Sequence, residues 1–138
     1  MAETLTGPGT TPGRFVKGYL MGKRILIVND DLDVLRNFKL LLDTMGMEAV
    51  TMVDPEQALD AVATQSFNLI VVDYQMEGMN GLEFAAKAKE RTKTRIAIWS
   101  AFADSELKKR AFVSGIPYVI NKDGDVDVIL KQITQLVQ

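Results

Sequence analysis

Short apolar runs alternate along this chain with longer stretches of helical spacing. Ile25-Leu26-Ile27-Val28 is the first run, and it stops at Asn29-Asp30-Asp31. An unbroken run of this length reads as a strand buried on both faces, as parallel strands are. Leu32, Leu35, Phe38, Leu41, Leu42 and Met45 follow at helical spacing, and Gly46 is the stop signal. Ala49 to Val53 reads as the second strand, and Asp54-Pro55 as a helix start with Asp as cap. Leu69-Ile70-Val71-Val72 is the third strand and ends on Asp73. A loop with Gly78 and Gly81 leads to a helix near 82–91. Ile96 to Trp99 is the fourth strand, ending on Ser100, with a helix from Asp104 to Ser114. Tyr118-Val119-Ile120 is the fifth strand, followed by Asn121-Lys122 and a last helix from about Val126.

Five strand–helix units in strict alternation predict an α/β fold: a parallel sheet with helices on both faces and right-handed crossovers. In such sheets ligands bind at the carboxyl ends of the strands. Asn29-Asp30-Asp31, Asp73, Ser100 and Asn121-Lys122 all fall at strand ends, so four separate runs bring polar residues to one edge. Taken singly, each has a bland explanation. Asp31 is expected to cap the first helix, Ser100 alone would be an ordinary cap, and Lys122 alone a solvated lysine. Asp73 is followed by a glycine-bearing loop rather than a helix, which weakens a capping role. Met45, Met76 and Met79 read as packing residues. Trp99, next to Ser100, is expected on the opposite face of its strand, under a helix.

Composition narrows the chemistry. The 138 residues suit one domain, with 47% hydrophobic, 25% charged and a net charge of −2. Nothing in that balance steers the molecule to nucleic acid or anionic membrane. There is no Cys and no His, which excludes disulfides, thiol catalysis, a catalytic triad and histidine-ligated zinc. The lack of cysteine, of an apolar run near the ~20 residues of a membrane span and of a signal peptide leads us to expect a cytoplasmic protein. Residues 1–21, rich in Gly, Pro and Thr, read as a disordered or loosely attached extension, and residues 22–138 as the folded domain. Met21-Gly22-Lys23-Arg24 resembles a natural chain start; the extension is either native or an expression remnant.

Any site must therefore use carboxylates, lysine, hydroxyls and amides. Clustered carboxylates need a cation, and oxygen ligands favour Mg²⁺ or Mn²⁺. Asp30 and Asp73 are the direct-ligand candidates, with a backbone carbonyl near Gln75 as third. A carboxylate is also a nucleophile toward phosphoryl groups. Phosphoryl transfer needs charge neutralisation and alignment more than acid–base work. Lys122 would neutralise one phosphoryl oxygen, and the Ser100 hydroxyl would donate to another.

From about residue 23 to 138 the chain resembles the receiver domain of two-component response regulators. The resemblance rests on Ile25 to Asp30, on Leu69 to Gly81 with Asp73 within it, on Ile98-Trp99-Ser100-Ala101, and on Lys122. It implies a flavodoxin-like fold of strand order 2-1-3-4-5. It implies phosphoryl transfer to Asp73 from a histidine kinase or histidine phosphotransfer protein, with Mg²⁺. Asp30 would then be a metal ligand, Ser100 the hydroxyl switch residue and Lys122 the phosphoryl-contacting lysine. Such a domain is a phosphoacceptor rather than an enzyme in its own right.

Four positions depart from the family pattern. Asn29 stands where the first member of an acidic pair is usual; it can hold a metal-bound water, and weaker Mg²⁺ binding follows. Glu77 replaces a usual Pro. Asp123 follows Lys122 where the family has a cis-bonded Pro. The switch aromatic usually lies three residues before the lysine; that position is Val119, and Tyr118 is one residue off, on the other strand face.

With one helix after Lys122, the chain is expected to lack an output module. It would act through an unknown partner, as a relay or stand-alone regulator, or be an excised piece of a longer protein. The surface of the fourth helix, fifth strand and fifth helix is a candidate for output and for homodimer contact, with no direct nucleic-acid or membrane binding. A pseudo-receiver that signals without phosphorylation is the alternative. A hydrolase with an aspartyl-phosphate intermediate is disfavoured because Gln75, not Asp, lies two residues after Asp73. A flavodoxin is disfavoured because carboxylates follow the first strand.

Overall fold

The structure, a computed structural model, describes residues 20–138. Five strands and five helices alternate: β1 (Arg24–Val28), α1 (Leu32–Thr44), β2 (Glu48–Met52), α2 (Pro55–Thr64), β3 (Leu69–Asp73), α3 (Gly81–Lys89), β4 (Ile96–Ser100), α4 (Ser105–Val113), β5 (Tyr118–Asn121) and α5 (Val126–Leu136). The strands are parallel and ordered β2-β1-β3-β4-β5. This is the doubly wound order expected above.

Alternation along each strand sorts the core into two layers. Leu26, Val28, Ile70, Val72, Ile96 and Ile98 face α2, α3 and α4. Ile25, Ile27, Leu69, Val71 and Ala97 face α1 and α5. Both sheet faces are thus covered, which is why the strands are apolar throughout. Trp99 packs on the second side, its ring centroid 4.4 Å from that of Phe38 on α1. The three methionines read as packing residues do pack on the core, with Met76 and Met79 in the first layer and Met45 in the second.

Every helix starts on an acid or amide cap. Asp31, Asp54, Asn80, Asp104 and Asp125 each accept from first-turn backbone N–H groups. Such a cap is worth about 1 kcal/mol. Asp31 therefore belongs to α1, as expected, and Asp104 rather than Ser100 caps α4. Element ends shift by a residue or two from the sequence reading: β2 begins at Glu48 and leaves out Val53, and α3 spans Gly81–Lys89 rather than 82–91. Of the N-terminal extension read over 1–21, residues 1–19 lie outside the described residues. Leu20 is fully buried against the α1–α5 side of the core, and the Gly22 N–H donates to the Gly46 carbonyl at 3.1 Å. Among the described residues no helix is long and apolar enough to cross a membrane.

Candidate functional site

Asp73 is the last residue of β3, one of the central strands, and only 5% exposed. Its Oδ1 accepts a hydrogen bond from Lys122 Nζ at 2.9 Å. That ion pair is the most protected among the described residues, because Asp73 is buried while the acid of each of the other four pairs is exposed. Lys122 is brought there by β5. Ser100 is paired with Asn121 in the β4–β5 register, and the Lys122 N–H donates to the Ser100 carbonyl at 2.8 Å. The backbone thus sets the lysine stem beside β4 before the side chain reaches across. With Asp123 in place of Pro the bond after Lys122 is trans, since no cis peptide occurs among the described residues. The lysine reaches Asp73 nonetheless.

Ser100 ends β4 and is 5% exposed. Its Oγ accepts from the Phe102 N–H at 3.1 Å, which leaves the hydroxyl proton to be donated elsewhere. Tyr74, Gln75, Ser100, Phe102 and Arg110 line one small cavity of about 170 Å³ beside the strand ends.

At the end of β1, Asn29 is buried and Asp30 exposed. The Asn29 Oδ1 accepts from the Asp31 N–H at 2.9 Å, an Asx turn that leads into α1; its second lone pair is left for a water. Asp30 Oδ2 accepts from the Glu77 N–H at 3.1 Å. This bond joins the first strand end to the loop after Asp73, and a proline at 77 could not make it. Sequence reasoning missed it, because a backbone amide carries no signature in the sequence. Among the described residues no group of three or more His, Cys, Asp or Glu could hold a metal. The donor set at the strand ends is two carboxylates, Asp30 and Asp73, with the Gln75 carbonyl on the following loop. That all-oxygen set fits a hard divalent cation and no thiophilic one.

The loop from Tyr74 to Asn80 closes tightly. Gly78 has φ +82°, which L side chains rarely adopt. At Gly81 an added Cβ would lie 2.7 Å from the Asp73 carbonyl oxygen and 2.9 Å from Tyr74 Cα. The start of α3 therefore presses directly on the backbone that carries Asp73.

The fifth strand answers the question of the aromatic. β5 is regular: Ala97 pairs with Tyr118 and Ile98 with Val119. Tyr118 packs with the α1–α5 side and Val119 with the α3–α4 side. No bulge re-registers the strand, so the face shared with Ser100 carries valine. A second aromatic contact went unforeseen. The Arg110 guanidinium of α4 lies 5.6 Å from the centroid of the Tyr74 ring, joining residues too far apart in sequence for any periodicity to pair them.

Comparison with known proteins agrees with this fold. Residues 25–134 match the family described as the response regulator receiver domain. The response regulator ArlR of Staphylococcus aureus (strain Mu50 / ATCC 700699) is 28% identical over 115 residues, covering 83% of this chain and 52% of that protein. The chain thus spans about half the length of the curated relatives it matches. Among solved structures, the Francisella response regulator 1452 receiver domain superposes with a TM-score of 0.74 at 23% identity, covering 84% of this chain and 97% of the other. The chemotaxis protein CheY4 of Vibrio cholerae, crystallised at low pH, gives 0.76 at 22% identity, covering 83% and 98%. These two likenesses show the fold. The match to the family, over most of the chain, shows more: the protein belongs to the response regulator receiver domains of two-component systems.

Proposed function

We propose that this receiver accepts a phosphoryl group on Asp73 from a phosphohistidine of a histidine kinase or phosphotransfer protein. The observation that carries this reading is the Lys122–Asp73 contact at 2.9 Å, with Ser100 buried on the neighbouring strand end. Lys122 holds Oδ1, which leaves Oδ2 to attack phosphorus. The P–N bond of the donor breaks, the electron pair leaves with the imidazole, and an acyl phosphate forms on Asp73. Lys122 is within reach to neutralise one phosphoryl oxygen, and the Ser100 hydroxyl proton is available to a second. Asp30, Asp73 and the Gln75 carbonyl would hold Mg²⁺, with Asn29 reaching it through a water; when bound, the ion neutralises phosphoryl charge. The protein then signals in the cytoplasm through a downstream partner, and the surface of α4, β5 and α5 is a place where copies could pair.

Incubation with acetyl phosphate and Mg²⁺, followed by intact mass, tests this. One added phosphoryl group on the wild type and none on Asp73→Asn is the expected result. No gain on the wild type, or an equal gain on Asp73→Asn, would sink it in favour of a pseudo-receiver.

A further inference from the structure

Both walls of one surface groove are tied to Tyr74, the residue after Asp73. On the α3 side, the Gly81 N–H donates to the Tyr74 carbonyl at 2.8 Å. On the α4 side, Arg110 stacks on the Tyr74 ring. Between these anchors, Leu82, Glu83 and Ala86 of α3 and Lys109, Arg110 and Val113 of α4 line an open groove of about 540 Å³. Both cations are on the α4 wall and the one carboxylate is on the α3 wall, where Glu83 accepts from the Asn80 N–H. Lys89, the last residue of α3, donates to the Ser114 and Gly115 carbonyls at 3.4 Å and so ties the end of α3 to the end of α4.

The groove has an apolar and a cationic character that the fold does not require. Leu107 and Ala111 supply the buried face of α4. Yet Val113 is 80% and Phe112 71% exposed, an outward apolar display of the kind that marks contact surfaces. Each lies one helical turn after a lysine: Lys109 before Val113 in the groove lining, and Lys108 before Phe112 on the adjoining exposed face of α4. Neither lysine has an ion-pair partner among the described residues. The charge is segregated along the chain as well. Residues 80–117 hold eight basic and four acidic residues, against four basic and ten acidic in residues 22–79.

We infer that the α3–α4 groove docks an amphipathic helix with an acidic flank, carried by the downstream partner. The apolar ridge of that helix seats on Leu82, Ala86 and Val113, and its carboxylates pair with Lys108 and Lys109. A helix fits because the walls are themselves helices and the groove offers no free strand edge. The assignment as an output surface rests on the phosphoacceptor reading of Asp73, whose next residue, Tyr74, is held by both walls.

The test is fluorescence anisotropy on the full chain with a labelled synthetic helical peptide, leucines on one face and glutamates on the other. It is run with and without acetyl phosphate and Mg²⁺, with phosphoryl occupancy counted by intact mass in the same samples. Saturable binding is expected, weakened about tenfold by the pair Lys109→Glu and Val113→Ser, and changed at least about threefold by phosphorylation. Both substituted positions are exposed, so an unchanged melting curve is the control for folding. The inference is overturned if a scrambled peptide of the same composition binds equally, or if the double variant binds as the wild type does. Tighter binding of duplex DNA or phosphatidylserine vesicles through the same two residues overturns it too, as does equal affinity of the phosphorylated and unphosphorylated protein. If no phosphoryl group is taken up, the phosphoacceptor reading fails separately, and the double variant alone decides the groove.

Discussion

Lys122 Nζ meets Asp73 Oδ1 at 2.9 Å, although β4 lies between β3, which ends on Asp73, and β5, which Lys122 directly follows. The contact spans the top of the sheet. The Lys122 N–H, bonded to the Ser100 carbonyl at the end of β4, starts the lysine side chain from that strand's edge. A lysine held this way is a built-in counter-charge for a carboxylate that is otherwise buried.

Removing that lysine leaves Asp73 buried without its partner. Lys122→Ala is expected to lower stability by about 1.5–3 kcal/mol, the range for a hydrogen bond to a charged group. Urea denaturation measures it. Phosphoryl uptake from acetyl phosphate should fall in the same variant, while Asp73→Asn abolishes uptake with a smaller loss of stability, since no charge is left unpaired.

Asn29→Asp should tighten Mg²⁺ binding on the order of tenfold, because ligand charge sets affinity in such sites. The substitution is near-isosteric, and the new carboxylate still accepts from the Asp31 N–H that now meets Asn29 Oδ1 at 2.9 Å. Without metal the added charge faces Asp30 and Asp73, so the metal-free protein should melt earlier. Calorimetric titration and thermal melts with and without Mg²⁺ check both signs.

Gly81→Ala places a methyl group 2.7 Å from the Asp73 carbonyl oxygen. Backbone cannot yield as a flexible side chain does, so a cost of about 1–3 kcal/mol is expected, as for overpacking. Displacement of Asp73 should slow phosphoryl uptake as well. A variant with wild-type stability and wild-type uptake would contradict the close approach.

Tyr118 faces α1 and α5, away from Ser100. Tyr118→Leu should therefore leave the phosphorylation-dependent amide shifts of residues 100–114 unchanged in NMR spectra. If those shifts vanish, the tyrosine takes part in the switch despite its face.

How much of this was legible beforehand differs from residue to residue. Asp73, Ser100 and Lys122 each stand at the end of an apolar run, so their convergence on one edge follows from parallel strands alone. Asp31 could be told from Asp30 because a cap sits immediately before a helical period. The Val119 departure was legible too, since strand alternation has a period of two and cannot absorb a one-residue offset without a bulge. The Glu77–Asp30 bond and the Arg110–Tyr74 stack were not legible. One uses a backbone amide, and the other joins side chains whose distance depends on where two helices settle.

The sequence by itself determined the order of elements, the two-sided burial of the strands and the chemistry available at their ends. Local periodicity encodes these, and each residue contributes independently. Only the tertiary structure decided that Lys122 reaches Asp73 with a trans bond after it, that the loop after Asp73 is latched to Asp30, and that α3 and α4 meet at Tyr74. Those relations depend on how elements distant in sequence pack at close range, and a pattern along one dimension does not contain those distances.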